Sequence, residues 1–250
     1  MTTPSTAIPP LAPELRRALL EASTATVSIQ LLKRGFRFAA VNGVAPLNPA
    51  AVRFAGPAYT LRFIPAREDL ATPASVAQKD NAQRVAIEDI PAGAVLVIDA
   101  RGETRAGTLG DILAARLFQR GVAGVVSDGA MRDAPELEKL ALPIFCAGMA
   151  PPPSFNFLYP VDINRPIGCG GAAVFPGDIV VGDGGGVVVI PRHLAEEVAR
   201  DSLEQERLEV FIRRRVDRGH PTPGLYPASD ETRAAYRRWV EAGRPEEAPF

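Results

Sequence analysis

The sequence predicts an α/β fold that has helices at the N-terminus and a helical tail at the C-terminus. Between residues 81 and 148, apolar runs of strand length alternate with segments of helix length, which is typical of βαβ units in a mainly parallel sheet. A valine-rich stretch at 174–191 predicts a β-hairpin. The charged stretch from Arg192 to Arg218 predicts a long helix, and a short final helix follows it.

The N-terminal region, residues 1–49, is predicted to be a helical segment. Apolar residues recur at helical spacing within 11–35, and Gly35 is a typical end to a helix. The stretch FAGPAYTLRFIPA, residues 54–66, predicts short strands that are interrupted by glycine and proline. We therefore expect the helices to precede a β-rich beginning of the core.

Residues 50–191 are expected to form the α/β core. Its central elements are predicted to be a helix at 81–90, a strand at 94–100, a helix at 108–121, a strand at 122–129, a helix at 134–141 and a strand at 143–148. In the hairpin, a strand follows Asp183-Gly184-Gly185-Gly186 where a phosphate-binding loop would need a helix, so a hairpin turn is favoured. Residues 192–250 are predicted to be a C-terminal helix and tail that pack on a neighbouring subunit.

The composition excludes several classes of function. A net charge of -1 over 250 residues provides no long-range field for nucleic acid or an anionic membrane. The first residues lack the basic and apolar regions of a signal peptide, and no apolar run is long enough to span a membrane. Cys146 and Cys169 form no CxxC pattern and are expected to be buried free thiols. We therefore expect a cytoplasmic protein whose partners include neither nucleic acid nor a membrane.

The scarcity of histidine restricts the chemistry further. The only two histidines, His193 and His220, lie in charged C-terminal stretches and are expected at the surface. A Ser-His-Asp triad or a multi-histidine zinc site is therefore excluded from the core. Chemistry in this chain is expected to rest on carboxylates, arginines and backbone groups.

An adjacent arginine and aspartate, Arg132 and Asp133, follow the strand predicted at 122–129. One interpretation is structural, because Asp133, Pro135 and Glu136 fit a capping box at the start of the next helix, and the spacing alone favours this. The other is functional, because ligands of α/β sheets bind beyond the carboxyl ends of the strands. The residues by themselves leave both interpretations open.

A second corner of the same kind lies one strand-helix unit earlier. Backbone amides from Gly110 to Leu113, including that of Ile112, would stand at a helix N-terminus and could bind an anion that the glycine allows to come close. The alternative is again a helix cap, made by Thr108 or Asp111. If both corners face one pocket, its arginine, carboxylates and amides suit a small oxyacid together with a hard cation such as Mg²⁺.

Two blocks of the sequence resemble a known family. LGDILAARLFQRGVAGVVSDGAMRDAPEL, residues 109–137, resembles the signature of the RraA-like proteins, which include the 4-hydroxy-4-methyl-2-oxoglutarate aldolases. PGDIVVGDGGGVVVIP, residues 176–191, resembles a second block of that family, and the whole resemblance covers roughly residues 50–219. It implies a swivelling β/β/α-type core and subunits that assemble around shared sites as homotrimers or homohexamers.

The resemblance also implies roles for individual residues. Asp133 would ligate a divalent metal cation, Mg²⁺ or Mn²⁺, and Arg132 would bind a small 2-oxo acid substrate. The carboxylate and keto oxygens of that acid would lie against Gly110–Leu113, and Asp111 would hold a water of the metal. These residues together would form most of a class II, metal-dependent aldolase site.

A glutamate on the C-terminal helix of a neighbouring subunit would complete such a site by the same resemblance. Glu209 matches best by spacing, and Glu204 and Glu206 are alternatives on the same charged helix. The expected site is therefore shared between two copies of the chain.

The implied reaction is cleavage of a 4-hydroxy-2-oxo acid to pyruvate and a second carbonyl compound, with decarboxylation of oxaloacetate as a side activity. The chain's only lysines, Lys33, Lys79 and Lys139, stand in no recognisable site, which agrees with a reaction that needs no Schiff base. Two alternatives stay open. One is a sugar-acid-derived 2-oxo or 2,4-dioxo acid as substrate, and the other is a non-catalytic RraA-like regulator that binds a ribonuclease.

Overall fold

The structure is a computed structural model that describes residues 8–244 of the chain. The helices of this part are α1 (Pro13–Glu21), α2 (Thr24–Lys33), α3 (Pro73–Ala77), α4 (Ala82–Asp89), α5 (Asp111–Gln119), α6 (Ala134–Leu137), α7 (Ala195–Asp217) and α8 (Asp230–Glu241). The strands are β1 (Ala40–Val41), β2 (Ala45–Pro46), β3 (Phe54–Pro65), β4 (Val95–Asp99), β5 (Gly124–Met131), β6 (Ile144–Met149), β7 (Leu158–Ile163), β8 (Ile167–Cys169), β9 (Ala172–Val174), β10 (Ile179–Asp183) and β11 (Gly186–Ile190).

One large mixed sheet organises the molecule. Its strand order is β1-β11-β10-β3-β4-β5-β6-β2, and β7 pairs with the far end of β3. The central strands β3, β4, β5 and β6 are mutually parallel, whereas the outer pairings are antiparallel. The α/β class, the parallel centre, the N-terminal helices and the C-terminal helix are all confirmed.

Both faces of the parallel centre are buried. Alternate residues of β4 point to opposite sides, so Leu96 and Ile98 pack with α4, α5 and α6 while Val95 and Val97 pack with the small hairpin β8–β9. Cys146 and Cys169 belong to these two clusters as buried free thiols, as the sequence predicts.

The stretch that the sequence predicts as short, interrupted strands is one strand of 12 residues, β3, and that prediction is wrong. Pro57 is the last residue paired with β10 and Ala58 is the first paired with β4, so the proline marks a change of partner. A Cβ on Gly56 would lie 2.3 Å from the carbonyl oxygen of Gly93, so that glycine permits close contact with a neighbouring turn. Neither residue interrupts the strand.

Two elements next to the predicted site differ in length from the prediction. β5 extends beyond residue 129 to Met131, with a register shift between Ser127 and Ala130. The helix predicted at 134–141 is only the single turn α6. The chain then continues through turns at 138–142 and is extended from Pro143 into β6.

The N-terminal helical segment consists of two helices that meet at Ser23. The Ser23 hydroxyl accepts a hydrogen bond from the Thr26 amide at 3.1 Å and so caps α2. Buried Asp183, in the hairpin, accepts from the amide and the hydroxyl of Thr24 at 2.8 and 2.7 Å. Burial by itself would raise the pKa of Asp183, but the bonds from Thr24 and Gly185 outweigh it and lower the pKa. This carboxylate joins α2 to the β10–β11 turn.

The C-terminal region folds back on itself within one chain. The long charged helix is confirmed as α7, and α8 packs on it through Phe211, Tyr236 and Trp239, whose ring centroids lie 5.3–6.2 Å apart. His193 and His220 are exposed, as predicted. The contact of this region with a neighbouring subunit stays a prediction. Among residues 8–244, no helix combines the length and the apolarity needed to cross a membrane.

We expect Gly182→Ala to destabilise the fold by about 1–3 kcal/mol, the usual effect of overpacking a core. A Cβ at Gly182 would lie 2.1 Å from the fully buried ring of Phe54, which also stacks edge-on against Phe145 at 5.7 Å. Gly184→Ala, in the turn of the same hairpin, is the matched control, because nothing lies within 4 Å of its Cβ position. Urea unfolding of both variants measures the difference, and equal stabilities would show that Phe54 can move aside.

Candidate functional site

The first corner of the candidate site connects β4 to α5. Gly110 precedes α5 in an extended conformation and supplies no side-chain cap. The Asp111 carboxylate turns back over the start of the helix and accepts a hydrogen bond from the Ile112 amide at 2.8 Å. One of the amides predicted to bind a ligand is therefore occupied by the carboxylate of its own helix. The side chain of Ile112 is 77% exposed.

The second corner connects β5 to α6 and does not form the predicted capping box. Asp133 occupies the N-cap position in a left-handed conformation, with φ 60° and ψ 44°, but its carboxylate makes no cap hydrogen bond. The Glu136 side chain pairs with Lys139 at 2.6 Å and does not reach back to Asp133. The capping-box interpretation is wrong, because the left-handed backbone turns the Asp133 carboxylate away from α6.

The two corners meet. The Arg132 amide donates to the Leu109 carbonyl at 2.8 Å, and the Asp111 amide lies 3.4 Å from Oδ2 of Asp133. A Cβ on Gly110 would lie 2.6 Å from the same carboxylate oxygen. The structure therefore brings Gly110, Asp111, Arg132 and Asp133 together, as the sequence predicts.

Gly107 controls how closely the corners approach, and the sequence gives no indication of this role. A Cβ at Gly107 would lie 2.1 Å from Cγ of Arg132 and 2.8 Å from its amide nitrogen. The glycine is fixed on the other side by its amide, which donates to the Pro152 carbonyl at 3.0 Å. Thr108 holds the loop further, since its amide and hydroxyl both donate to the Ala130 carbonyl. Only the folded contacts reveal these positions.

Arg132 has an unsatisfied donor. Its side chain is half-buried, and its Nε atom is buried without a hydrogen-bond partner among the described residues. A buried donor of a charged group is costly to leave unpaired. A ligand oxygen bound at this position would remove that cost.

Further carboxyl groups stand behind the corners on the same strands. Burial raises the pKa of Asp128, and the neighbouring Asp99 carboxylate adds to the rise, although the Ala100 amide donates to Asp128 at 2.7 Å. In the β4–α5 loop, the Arg105 side chain holds the pKa of Glu103 at about 2. These carboxyl groups form short bonds within the fold, whereas the contact of Asp133 with the Asp111 amide is a long one of 3.4 Å.

The three C-terminal glutamates lie apart from this cluster in a single chain. The Glu206 carboxylate accepts from the Ser23 amide at 2.9 Å, and Glu209 accepts from the Gln205 side chain at 2.8 Å. Glu204 accepts from the Tyr236 hydroxyl. Within residues 8–244 of one chain, no hydrogen bond or ion pair joins them to the candidate site. Glu206 is the most firmly engaged, because it supports the start of α2.

The residues present fit a hard cation that keeps most of its water. No group of three or more His, Cys, Asp or Glu side chains that could hold a metal occurs in the described part of the chain. Asp133, however, presents an exposed carboxylate that caps no helix, with Asp111 beside it. Mg²⁺ is commonly held by one or two carboxylates together with waters and substrate oxygens.

Comparison with known proteins identifies the family. The family model described as RraA-like, Aldolase/RraA, matches residues 24–189, which is more than half of the chain. The chain belongs to the RraA-like family. The match contains both corners of the candidate site, whereas α1, α7 and α8 lie outside it.

Individual relatives agree with this assignment. Protein DlpA of Legionella pneumophila is 29% identical over 80% of this chain, which spans only 32% of the length of DlpA. A 4-hydroxy-4-methyl-2-oxoglutarate aldolase of Thermus thermophilus is 31% identical over 56% of this chain and 76% of its own length. The crystal structure of Streptomyces coelicolor RraAS2, an unusual member of the RNase ES inhibitor RraA protein family, has a TM-score of 0.72 and 36% identity, covering 81% of this chain and 97% of that one. The family thus contains proteins named as aldolases and as ribonuclease inhibitors.

We expect Gly107→Ala to displace Arg132 and to destabilise the protein by about 1–3 kcal/mol, because the added methyl group overlaps the arginine side chain. Gly148→Ala on β6 is the matched control, since nothing lies within 4 Å of its Cβ position. Urea unfolding and crystal structures of both variants provide the measurement. An unmoved Arg132 in Gly107→Ala would show that Gly107 does not position the arginine.

Proposed function

We propose that the protein is a divalent-metal-dependent aldolase that cleaves a 4-hydroxy-2-oxo acid to pyruvate and a second carbonyl compound. The observation that carries this proposal is the contact between the two corners, in which the Arg132 side chain and the Asp133 carboxylate lie beside Gly110, the residue before α5. A guanidinium, a free carboxylate and helix amides in one place suit an oxyacid together with a hard cation. Relatives named as aldolases support a lyase at the level of the family.

Asp133 is the residue that would hold the cation. Its carboxylate is exposed, makes no cap, and faces a glycine that leaves room beside it. A bound Mg²⁺ or Mn²⁺ would supply Lewis acidity to the 2-oxo acid. Asp133 and Asp111 together match the few carboxylates that such a cation requires.

The chain's own residues would bind and orient the acid. Arg132 donates to the oxygen that becomes negative when the bond between C3 and C4 breaks and its electron pair passes to the enolate of pyruvate. Amides at the start of α5 receive the substrate carboxylate. The Ile112 amide becomes available when Asp111, to which it now donates, turns away. The same movement frees Asp111 for proton transfer.

Two carboxylates would move the protons. Asp111, together with Glu209 from a neighbouring subunit, orients a water that accepts the proton of the C4 hydroxyl as the second carbonyl compound forms. Return of a proton to C3 of the enolate gives pyruvate. Decarboxylation of oxaloacetate would yield the same enolate, so the same groups would serve that side activity.

The second candidate function is inhibition of a ribonuclease, favoured by the similarity to RraAS2 over most of both chains. The two functions differ in one measurable property. Metal-dependent release of pyruvate from 4-hydroxy-2-oxo acids, or from sugar-acid-derived 2-oxo and 2,4-dioxo acids, is expected only of the enzyme. Testing a panel of such acids, with and without Mg²⁺, separates the two functions and identifies the substrate.

We expect Asp133→Asn to weaken Mg²⁺ or Mn²⁺ binding by at least about tenfold, because hard cations prefer charged oxygen ligands. The variant keeps the size of the side chain and should fold normally. Calorimetric titration of Mn²⁺ into both proteins gives the affinities, and Asp128→Asn is the control for loss of a carboxylate at the same sheet edge. Unchanged affinity in Asp133→Asn would remove Asp133 from the metal site.

Sharing of the site between subunits is tested by complementation. We expect Arg132→Lys and Glu209→Gln each to lower turnover by about 10²–10³, as the loss of one group that stabilises a developing charge does. When the two variants are unfolded and refolded together in equal amounts, about a quarter of the sites would regain both native residues if neighbours share them. A mixture as inactive as its components would show that Glu209 does not act across a subunit boundary.

A further inference from the structure

A cavity lies in the helical layer, apart from the two corners of the same chain. It is open to solvent on one side, has a volume of about 520 Å³ and is lined by α2, α7, α8 and the segment at 226–228. Cavities that bind small organic molecules have volumes of about 300–1,000 Å³. α7 and α8 lie outside the residues that the family model matches, so this cavity is built largely by parts of the chain beyond that match.

The wall of the cavity is mainly apolar. Ile29, Leu208 and Ile212 contribute aliphatic surface, and Pro227 lies beside them. Tyr226 also lines the cavity although 61% of it is exposed, which is a large aromatic surface for a side chain to leave in water. This wall suits a ligand with an apolar body, above all one with an aromatic ring that can pack on the tyrosine.

The acidic groups of the cavity already have partners. Asp201 forms ion pairs with Arg34 at 2.5 Å and Arg200 at 2.9 Å. Glu209 accepts from Gln205 at 2.8 Å, and Glu204 accepts from the Tyr236 hydroxyl. These carboxylates are therefore neutralised or hydrogen-bonded within the protein.

The basic groups are different. Arg233 and Arg237 stand one turn apart on α8, both line the cavity, and neither forms an ion pair with any residue between 8 and 244. Lys33, on α2, donates to the neutral side-chain oxygen of Gln205, at 3.0 Å. These three cations thus line the cavity without an ion pair to any residue between 8 and 244.

We propose that this cavity binds a small organic anion that has an aromatic body and a single carboxylate. The ring packs against Tyr226 and the aliphatic wall, and the carboxylate binds the guanidinium groups of Arg233 and Arg237. Within one chain the cavity lies apart from the two corners, and Glu209 is the one lining residue that the proposed aldolase site also uses. The proposed ligand contacts are made by other residues, so they do not depend on the aldolase activity.

The test is a calorimetric titration of the full chain, in EDTA, with three probes: 3-phenylpropionate, its neutral amide 3-phenylpropionamide, and propionate. We expect saturable binding of 3-phenylpropionate, and binding about tenfold weaker or more for the amide, which lacks the charge, and for propionate, which lacks the ring. The fluorescence of Trp239, the only tryptophan, is a second readout, because its ring lies 6.2 Å from that of Tyr236 in the cavity wall.

Substitutions assign the binding to this cavity. The double variant Arg233→Gln with Arg237→Gln is expected to bind 3-phenylpropionate at least about tenfold more weakly, and glutamine keeps the helix propensity of α8. Arg238→Gln, an exposed arginine on the same helix that does not line the cavity, is the control and should bind normally. Arg132→Lys should also bind normally, which excludes the candidate aldolase site as the location.

Three results would overturn the proposal. They are the absence of saturable binding, equal affinity for the acid and its amide, and equal loss of binding in Arg238→Gln and the double variant. Circular dichroism of each variant confirms that α8 is folded. Neither Asp133 nor Arg132 lines the cavity, so loss of pyruvate release in their variants has no bearing on this site, and failure of one proposal is distinguishable from failure of the other.

Discussion

The pairing of β3 with three other strands is the constraint on which the rest of the structure depends. Its first residues pair with β10 up to Pro57, its middle pairs with β4 from Ala58 onward, and its end pairs with β7. The strand thereby joins the parallel centre, whose carboxyl ends carry the candidate site, to the hairpin on which α1, α2 and α7 rest. A shift of one residue in the pairing of β3 would exchange the two faces of this strand, so its buried side chains would leave the clusters in which they now pack.

The geometry of the candidate site depends on two glycines. Gly107 and Gly110 have no Cβ, so Arg132 and Asp133 can lie against the loop that precedes α5. This close packing of Arg132 lowers the stability of the fold, because Nε of Arg132 is buried without a partner among the described residues. An unpaired buried donor costs about 1–3 kcal/mol. A ligand that supplies an oxygen recovers this free energy, and the recovered part adds to its binding. An unsatisfied donor of this kind is easier to explain in a binding site than in a structural loop.

The sequence predicts the features that depend on local pattern and misses those that depend on tertiary contact. The alternation between residues 81 and 148, the turn at 183–186 and the helix α7 are all evident from periodicity and composition, and all three are present. Glycine and proline in β3 were predicted to break the strand, because the contact between Gly56 and Gly93 and the change of partner at Pro57 are long-range facts.

The same division holds for the candidate site. The positions of Arg132, Asp133 and Gly110 follow from the βαβ pattern, which brings consecutive strand ends to one edge of the sheet. The left-handed backbone of Asp133 and the role of Gly107 do not follow, because a capping box and a free carboxylate share the same residues and spacing. The helical cavity was missed for a related reason, because its wall combines α2 with α7 and α8, and the hydrogen bond from Gln30 to Gln205 across it joins residues 175 positions apart. The spacing of residues along the sequence does not show that these three helices line one cavity.

The fold by itself does not decide between an aldolase and a ribonuclease inhibitor, because one fold supports unrelated functions and only the site discriminates. A protein-binding surface is effective when it is broad and complementary, and it places no demand on two glycines that lie under one arginine and one aspartate. A metal-dependent lyase does require this, because a cation and a developing enolate must be held by fixed groups within a few ångströms. The Asp133 carboxylate makes no cap hydrogen bond, and among residues 8–244 it accepts one hydrogen bond, from the Asp111 amide at 3.4 Å. Glu136, Glu103 and Glu206, by contrast, form shorter hydrogen bonds or ion pairs within the protein. The Asp133 carboxylate thus contributes little to the stability of the fold, and it lies beside an arginine whose buried Nε has no partner among the described residues. This arrangement is expected of a binding or catalytic site and not of a structural loop.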